Sequence, residues 1–138
     1  AAGFAVVACD DRPGTLTPEW VPGVYDRRLV DYKNLSELCP IGPRDLVVVA
    51  TAGHKSDIDV VIQAMRAKPA YLGCLGSRRK TAFVRARLEQ EGFTQEQIDE
   101  LHLPIGVAIE AEDPEEIAIS IAAEMIHLRR TKLVPRKR

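Results

Sequence analysis

Residues that carry metal or redox chemistry are scarce in this chain. Its 138 residues include three cysteines, Cys9, Cys39 and Cys74, and three histidines. The cysteines are widely spaced, form no C-x-x-C pair and match no zinc-ligand pattern. An odd number suits a reducing compartment, and each reads most simply as a small buried apolar residue. The G-x-G-x-x-G fingerprint of dinucleotide-binding turns is absent. No Ser-His-Asp arrangement, metal-ligand cluster or pair of carboxylates can be placed in a crevice. No apolar run approaches the ~20 residues of a membrane span. No charged-then-apolar leader opens the chain, so the expected location is cytoplasmic, with no membrane partner. The formal net charge is −1, so the surface as a whole is not a nucleic-acid footprint. What remains is ordinary globular material: 46% hydrophobic and 28% charged residues, enough for one domain with a real core.

The pattern along the chain alternates strands and helices. Phe4–Cys9 is apolar without alternation, as in a strand covered on both faces. Pro and Gly mark residues 14–26 as loop. Arg28–Asp31 reads as a short edge strand and Asn34–Leu38 as a helical turn. Asp45–Ala50 is the clearest buried strand. A helix follows, with Ser56 as expected cap, Asp59 near a capping-box position and Ile58, Val61, Ile62 and Met65 as its apolar stripe. Pro69 ends it, and Tyr71–Gly73 forms the next strand. Helices then run over 78–91, closed by Gly92, and from Thr94 with Gln97 three residues on. The last starts at Asp113-Pro-Glu-Glu116, with Asp as cap and Pro at the first position. This order predicts an α/β fold, a parallel sheet with helices on both faces. Residues 1–133 are expected to be the domain and Val134–Arg138 a solvated basic tail.

Ligands in such sheets bind beyond the carboxyl ends of the strands, where the polar clusters fall. Asp10-Asp-Arg12 follows the first strand. Asp10 stands where an acid can accept the hydroxyls of a ribose, and equally where an ordinary turn Asp caps a loop. Arg12 is placed to pair with Asp10 or Asp11, or to meet a phosphate. Thr51-Ala-Gly-His54 follows the second strand. His54 suits a hydrogen bond to a ligand or a purely structural role. With only Asp57 nearby, it is a poor metal site. The third cluster is Gly76-Ser-Arg-Arg-Lys80. Gly76 allows the turn, Ser77 caps the helix, and Arg78, Arg79 and Lys80 fill its first turn. Cations are unfavourable at that positive helix end, so an anion such as phosphate is expected there, against the alternative of a solvated cationic helix start. A helix N-terminus with three cations would lower the pKa of the nearby Cys74 thiol, although buried filler is the simpler role. The last helix is apolar on most sides. Its polar stripe, Glu116, Ser120, Glu124 and His127, is expected to face solvent or, through Ser120 and Glu124, to line the ligand crevice.

These motifs resemble the Rossmann-like C-terminal domain of the XdhC/CoxI family, accessory factors for xanthine dehydrogenase, carbon monoxide dehydrogenase and related molybdenum hydroxylases. The matching text runs from Gly3-Phe4 through Asp10-Asp-Arg-Pro13, and then Thr51-Ala-Gly-His54 with Asp57. It continues with Tyr71-Leu-Gly, Gly76-Ser-Arg-Arg-Lys80, His102-Leu-Pro-Ile-Gly106 and Pro114-Glu-Glu-Ile-Ala-Ile-Ser-Ile-Ala-Ala-Glu124. The resemblance implies a carrier that holds molybdenum cofactor (molybdopterin or its dinucleotide) and supports its sulfuration with a cysteine desulfurase-type donor. It also implies delivery to an apo molybdenum hydroxylase. Two departures stand out. The family's domain normally begins with a strand and a Gly-x-Gly-His turn, which precede the residues matched here, so the chain is expected to be a truncated or processed piece. The strand belongs at the centre of the sheet, and without it self-association into a dimer or oligomer is expected. Cys74 stands where the family usually has an apolar residue. Two other readings compete with the carrier: an NAD(P)-dependent oxidoreductase, favoured by Asp10, and an interaction module whose basic turn docks an acidic surface.

Overall fold

A computed structural model describes residues 3–51 and 54–133. Four short strands and four α-helices form the expected α/β mixture. They are β1 (Val7–Asp10), β2 (Asp26–Leu29), β3 (Leu46–Val49), α1 (His54–Ala67), β4 (Tyr71–Cys74), α2 (Arg78–Gln90), α3 (Gln95–Glu100) and α4 (Pro114–Leu128). Alternation is confined to the β3-α1-β4-α2 stretch. A 3-10 turn at Leu35–Glu37 precedes β3, and a π-helical turn, Arg129–Leu133, extends α4. The basic tail lies outside the described residues.

The expected single sheet is divided. β1 pairs with β2 and β3 with β4, both in parallel, and no ladder joins the two pairs among the described residues. An isolated parallel bridge, Gly73 to His102, adds a third line to the β3–β4 pair. The described strands thus form two separate parallel ladders, the second widened by the 102 segment.

β4 is buried throughout, and its two faces meet different partners. Leu72 and Cys74 join the main core with Val49, Val61, Ala64, Val84, Leu88 and Ile98, beneath α1 and α2. Tyr71 on the other face donates to Glu124 of α4 at 2.5 Å. Helices thus cover both faces of this strand, as predicted. Gly73 has to be glycine, because a Cβ there would stand 2.5 Å from the Ile105 side chain. The segment that follows β2 is held to α1 by Val30 and Leu35, which join the core, and by one polar side chain. Gln63 accepts from the Leu35 N–H at 2.8 Å and donates to the Tyr32 carbonyl.

Local signals fix several helix ends. Ser77 accepts from the Lys80 N–H at 3.3 Å, and Thr94 and Gln97 form a reciprocal capping box. Glu116 accepts from the Asp113 N–H at 3.0 Å. Two expectations need correction. α1 begins at His54, so Ser56 lies inside the helix and does not cap it. α4 is not buried all round: Ile119 is 63% exposed, whereas Ser120 is only 5% exposed. Ala118, Ile119 and Ala123 face out, Leu128 is buried, and the middle of the polar stripe faces in. The reason is tertiary: Ser120 Oγ donates to the Val107 carbonyl at 2.8 Å, and Glu124 is drawn onto Tyr71, His102 and Gly106.

Candidate functional site

The polar turns follow the carboxyl ends of β1, β3 and β4. After β1, Asp10 is occupied by its neighbour. Arg12 donates to it through its backbone N–H (3.0 Å), Nε (3.1 Å) and Nη2 (3.0 Å). These bonds hold the Asp10 carboxyl at about 2, below its ordinary value. Any hydroxyl ligand would therefore share this carboxylate with Arg12. The ion pair predicted between the two residues is present.

The turns after β3 and β4 are tied together by Asp57, a residue that the sequence presents only as a weak metal partner. Asp57 is fully buried on the first turns of α1. Its Oδ1 accepts from the Thr51 N–H at 2.8 Å and from the Thr51 hydroxyl at 2.7 Å. Its Oδ2 meets the Lys80 ammonium, which also donates to the Leu75 carbonyl at 2.6 Å. Lys80 is thus turned inward, and its stem fills the space a Cβ on Gly76 would need. A buried carboxylate needs a counter-charge, and the nearest cation in the predicted cluster supplies it. No signal in the sequence joins positions 57 and 80.

Arg78 and Arg79 remain, exposed in the first turn of α2 beside the Ser77 cap. A cleft of about 220 Å³ adjoins this turn, lined by Leu75, Gly76, Ile105, Ala108, Ile117 and Ser120 among others. Gly76 and Ser120 are therefore brought to one cleft. A side chain on Gly106, whose φ is +94°, would collide with Ser120. That close approach is why a small residue stands at this point of α4. Glu124 does not line the cleft; its Oε1 accepts from Tyr71 and from the Gly106 N–H at 3.1 Å, and lies 3.1 Å from His102 Nδ1. Burial and this carboxylate push the Tyr71 hydroxyl well above its ordinary value. Cys74 takes the simpler of its two expected roles. Burial, with Asp57 adding to it, raises its thiol to about 11 against a smaller opposing effect of Lys80. It is core filler. The His54 side chain lies outside the described atoms. A larger cleft of about 710 Å³ opens by the residues that lead into β4, among Met65, Phe93, Leu101 and Leu128, and none of the three polar turns lines it.

Residues 1–125 match the family XdhC Rossmann domain. The chain belongs to that family. The XdhC domain is similar over 128 residues, at 32% identity, to the uncharacterized protein YqeB of Escherichia coli strain K12, covering 92% of this chain and 23% of that one. It is 29% identical over 105 residues to the molybdenum cofactor insertion chaperone PaoD of the same organism (76% and 33% coverage). To a probable xanthine dehydrogenase subunit of Bacillus subtilis strain 168 it is 31% identical over 130 residues (93% and 37%). A crystal structure described as a xanthine dehydrogenase from Bacillus halodurans superposes with a TM-score of 0.79 at 30% identity, over 94% of this chain and 36% of that one. The chain spans about a quarter to just over a third of the length of these curated relatives. The Rossmann-like architecture is thus established. Among the described residues no group of three His, Cys, Asp or Glu side chains is placed to hold a metal ion. No described helix is long and apolar enough to cross a membrane.

Proposed function

We propose that this XdhC domain holds molybdenum cofactor by its phosphate for delivery to an apo molybdenum hydroxylase. The observation that carries the reading is the start of α2. Ser77 and Lys80 are used internally, yet Arg78 and Arg79 are left exposed at the positive end of a helix, next to a cleft. Neither arginine makes a hydrogen bond or ion pair among the described residues. Two such guanidinium groups, with the unbonded N–H groups of a first helical turn, are a donor set for a phosphate or diphosphate. The cofactor's pterin phosphate, alone or extended to a dinucleotide, fits that set. Gly76 keeps the turn close and Ser120 borders the same cleft. Asp10 and Arg12 offer a switchable pair for hydroxyls or a second phosphate, and His54 belongs to the intervening turn. When bound, the cofactor supplies the molybdenum chemistry of its eventual client, while these residues only bind and orient.

The name of the relative PaoD supports this reading, as does that of the Bacillus subtilis relative. On the same reading the domain works in the cytoplasm, meets a cysteine desulfurase-type donor for cofactor sulfuration, and acts as a dimer or larger assembly. Asp10 at the end of β1 favours a second reading, an NAD(P)-binding oxidoreductase domain. Calorimetry with molybdenum cofactor, its dinucleotide form and NADPH separates the two. The carrier reading expects pterin binding weakened about tenfold or more per arginine in Arg78→Ala and Arg79→Ala, since a charged hydrogen bond contributes roughly 1.5–3 kcal/mol. NADPH binding with hydride transfer, and no affinity for the pterin, would overturn it.

A further inference from the structure

A second reactive cluster lies away from the phosphate turn. Cys9 is in β1, one residue before Asp10, and Cys39 follows the Leu35–Glu37 turn. Both are half-buried free thiols. Their sulfurs are 3.0 Å apart, with the Cys9 thiol donating to Cys39. A disulfide bond is ≈ 2.05 Å long, so the two sulfurs need to close by only about 1 Å. Arg28 of β2 lies alongside: its Nη1 donates to the Leu38 carbonyl at 3.1 Å and its Nε to Asp26 at 3.0 Å.

The surroundings divide the work between the thiols. The hydrogen bond from Cys9 and the charge of Arg28 hold Cys39 down to about 7, against burial and Asp45. The same hydrogen bond, burial and Asp26 push Cys9 far up, against Arg28. Cys39 is therefore the sulfur that loses its proton more readily, and Cys9 the one that keeps it. That is the asymmetry of an attacking and a resolving cysteine. Cys74, buried and raised, is the inert contrast.

We propose that Cys9 and Cys39 are an oxidisable dithiol that reacts with a low-molecular-weight disulfide and closes to an intrachain Cys9–Cys39 bond. The Cys39 thiolate attacks one sulfur of the oxidant, its S–S bond breaks, and one thiolate leaves carrying the electron pair. Cys9 then gives its proton to that thiolate or to solvent and attacks the Cys39 sulfur, expelling the second thiol. From the thiolate–thiol pair the protein loses two electrons and one proton, and the oxidant leaves as a thiol and a thiolate, which takes up the proton Cys39 had released to solvent. The new bond ties the segment after the 3-10 turn to the strand that ends in Asp10, so the state of the pair bears on the position of the Asp10–Arg12 pair. The proposal does not depend on the phosphate reading.

The test equilibrates the full chain with glutathione buffers of stepped oxidised-to-reduced ratio, followed by acid quenching, maleimide blocking and peptide mass spectrometry. The expected result is a Cys9–Cys39 linked peptide that replaces both blocked thiols together, with Cys74 labelled only after unfolding. In Cys9→Ser, Cys39 is expected to accumulate as the glutathione adduct; in Cys39→Ser, Cys9 stays unreacted. Should either variant fail to fold, the wild-type chain decides alone through the pH dependence of Cys39 alkylation, expected to have its midpoint near 7. An ordinary midpoint near ~8.5 overturns the proposal. So does a persistent adduct without closure, links to Cys74 as frequent as the 9–39 link, or two free thiols across the whole range.

Discussion

Replacing Lys80 by alanine should damage the fold much more than replacing either arginine beside it. The change strips the counter-charge from Asp57, which is fully buried and otherwise accepts only from Thr51 among the contacts described above. It also removes the donor at 2.6 Å from the Leu75 carbonyl. Breaking one side of a buried ion pair costs about 3–5 kcal/mol. For 138 residues the unfolding entropy is about 290 cal/mol/K, so the melting temperature should fall by about 10–17 °C. Scanning calorimetry and urea titration both read this. The paired change Asp57→Asn with Lys80→Met should recover most of the loss, because two shape-matched uncharged groups leave no isolated charge. A Lys80→Ala protein within about 1 kcal/mol of the parent would refute the buried pair as the link between the two turns. A double variant as unstable as the single one would do the same. Arg78→Ala and Arg79→Ala, at exposed positions, should melt like the parent, so any loss of phosphate binding in them is a local effect.

Other outcomes follow from the packing and charge described. Arg12→Ala should return the Asp10 carboxyl from about 2 toward its ordinary 3.8 in an NMR titration. Because the folded value lies below the ordinary one, the pair's contribution to stability is present above pH ~4 and fades as pH falls toward 2. Arg12→Ala should therefore flatten that acid limb. Gly73→Ala should cost about 1–3 kcal/mol by overpacking against Ile105, and Ile105→Val should relieve part of it; urea unfolding of the single and double variants checks both. Ile119→Ser should change stability by under about 0.5 kcal/mol, and a loss of several would show that this face of α4 is covered. The free edges of β1 and β3 should associate, so sedimentation at rising concentration should show dimers or larger species; a monomer throughout would count against edge pairing.

Legibility of the sequence tracks the range of the interaction. The caps at Ser77, Thr94 and Glu116 are readable because donor and acceptor are three residues apart. β3 and β4 are readable because continuous apolar runs leave little else to be. Boundaries slip where the deciding partner is remote: α1 starts two residues before its apparent cap. In α4 the stripe is legible but which way each member turns is not: Glu116 and His127 stay exposed, while residues 71 and 102–107 pull Ser120 and Glu124 inward. The cation cluster is visible as three equivalent charges. Its division into one structural lysine and two exposed arginines depends on Asp57, whose burial no local pattern announces.

The division of the sheet gives the chain an uneven resistance to opening. The β3-α1-β4 stretch is contiguous in sequence and carries most of the solvent-excluded side chains, whereas β1 and β2 contribute none that is fully buried. Regions with few buried contacts open at lower free energy than the whole molecule. Amides of β3 and β4 should accordingly exchange with solvent only on global unfolding, while those of β1 and β2 exchange through a smaller, local event governed by the Gln63 anchor. A strand that paired with both ladders would couple the two halves. The Asp10 turn, held by the weaker half, would gain most from that coupling.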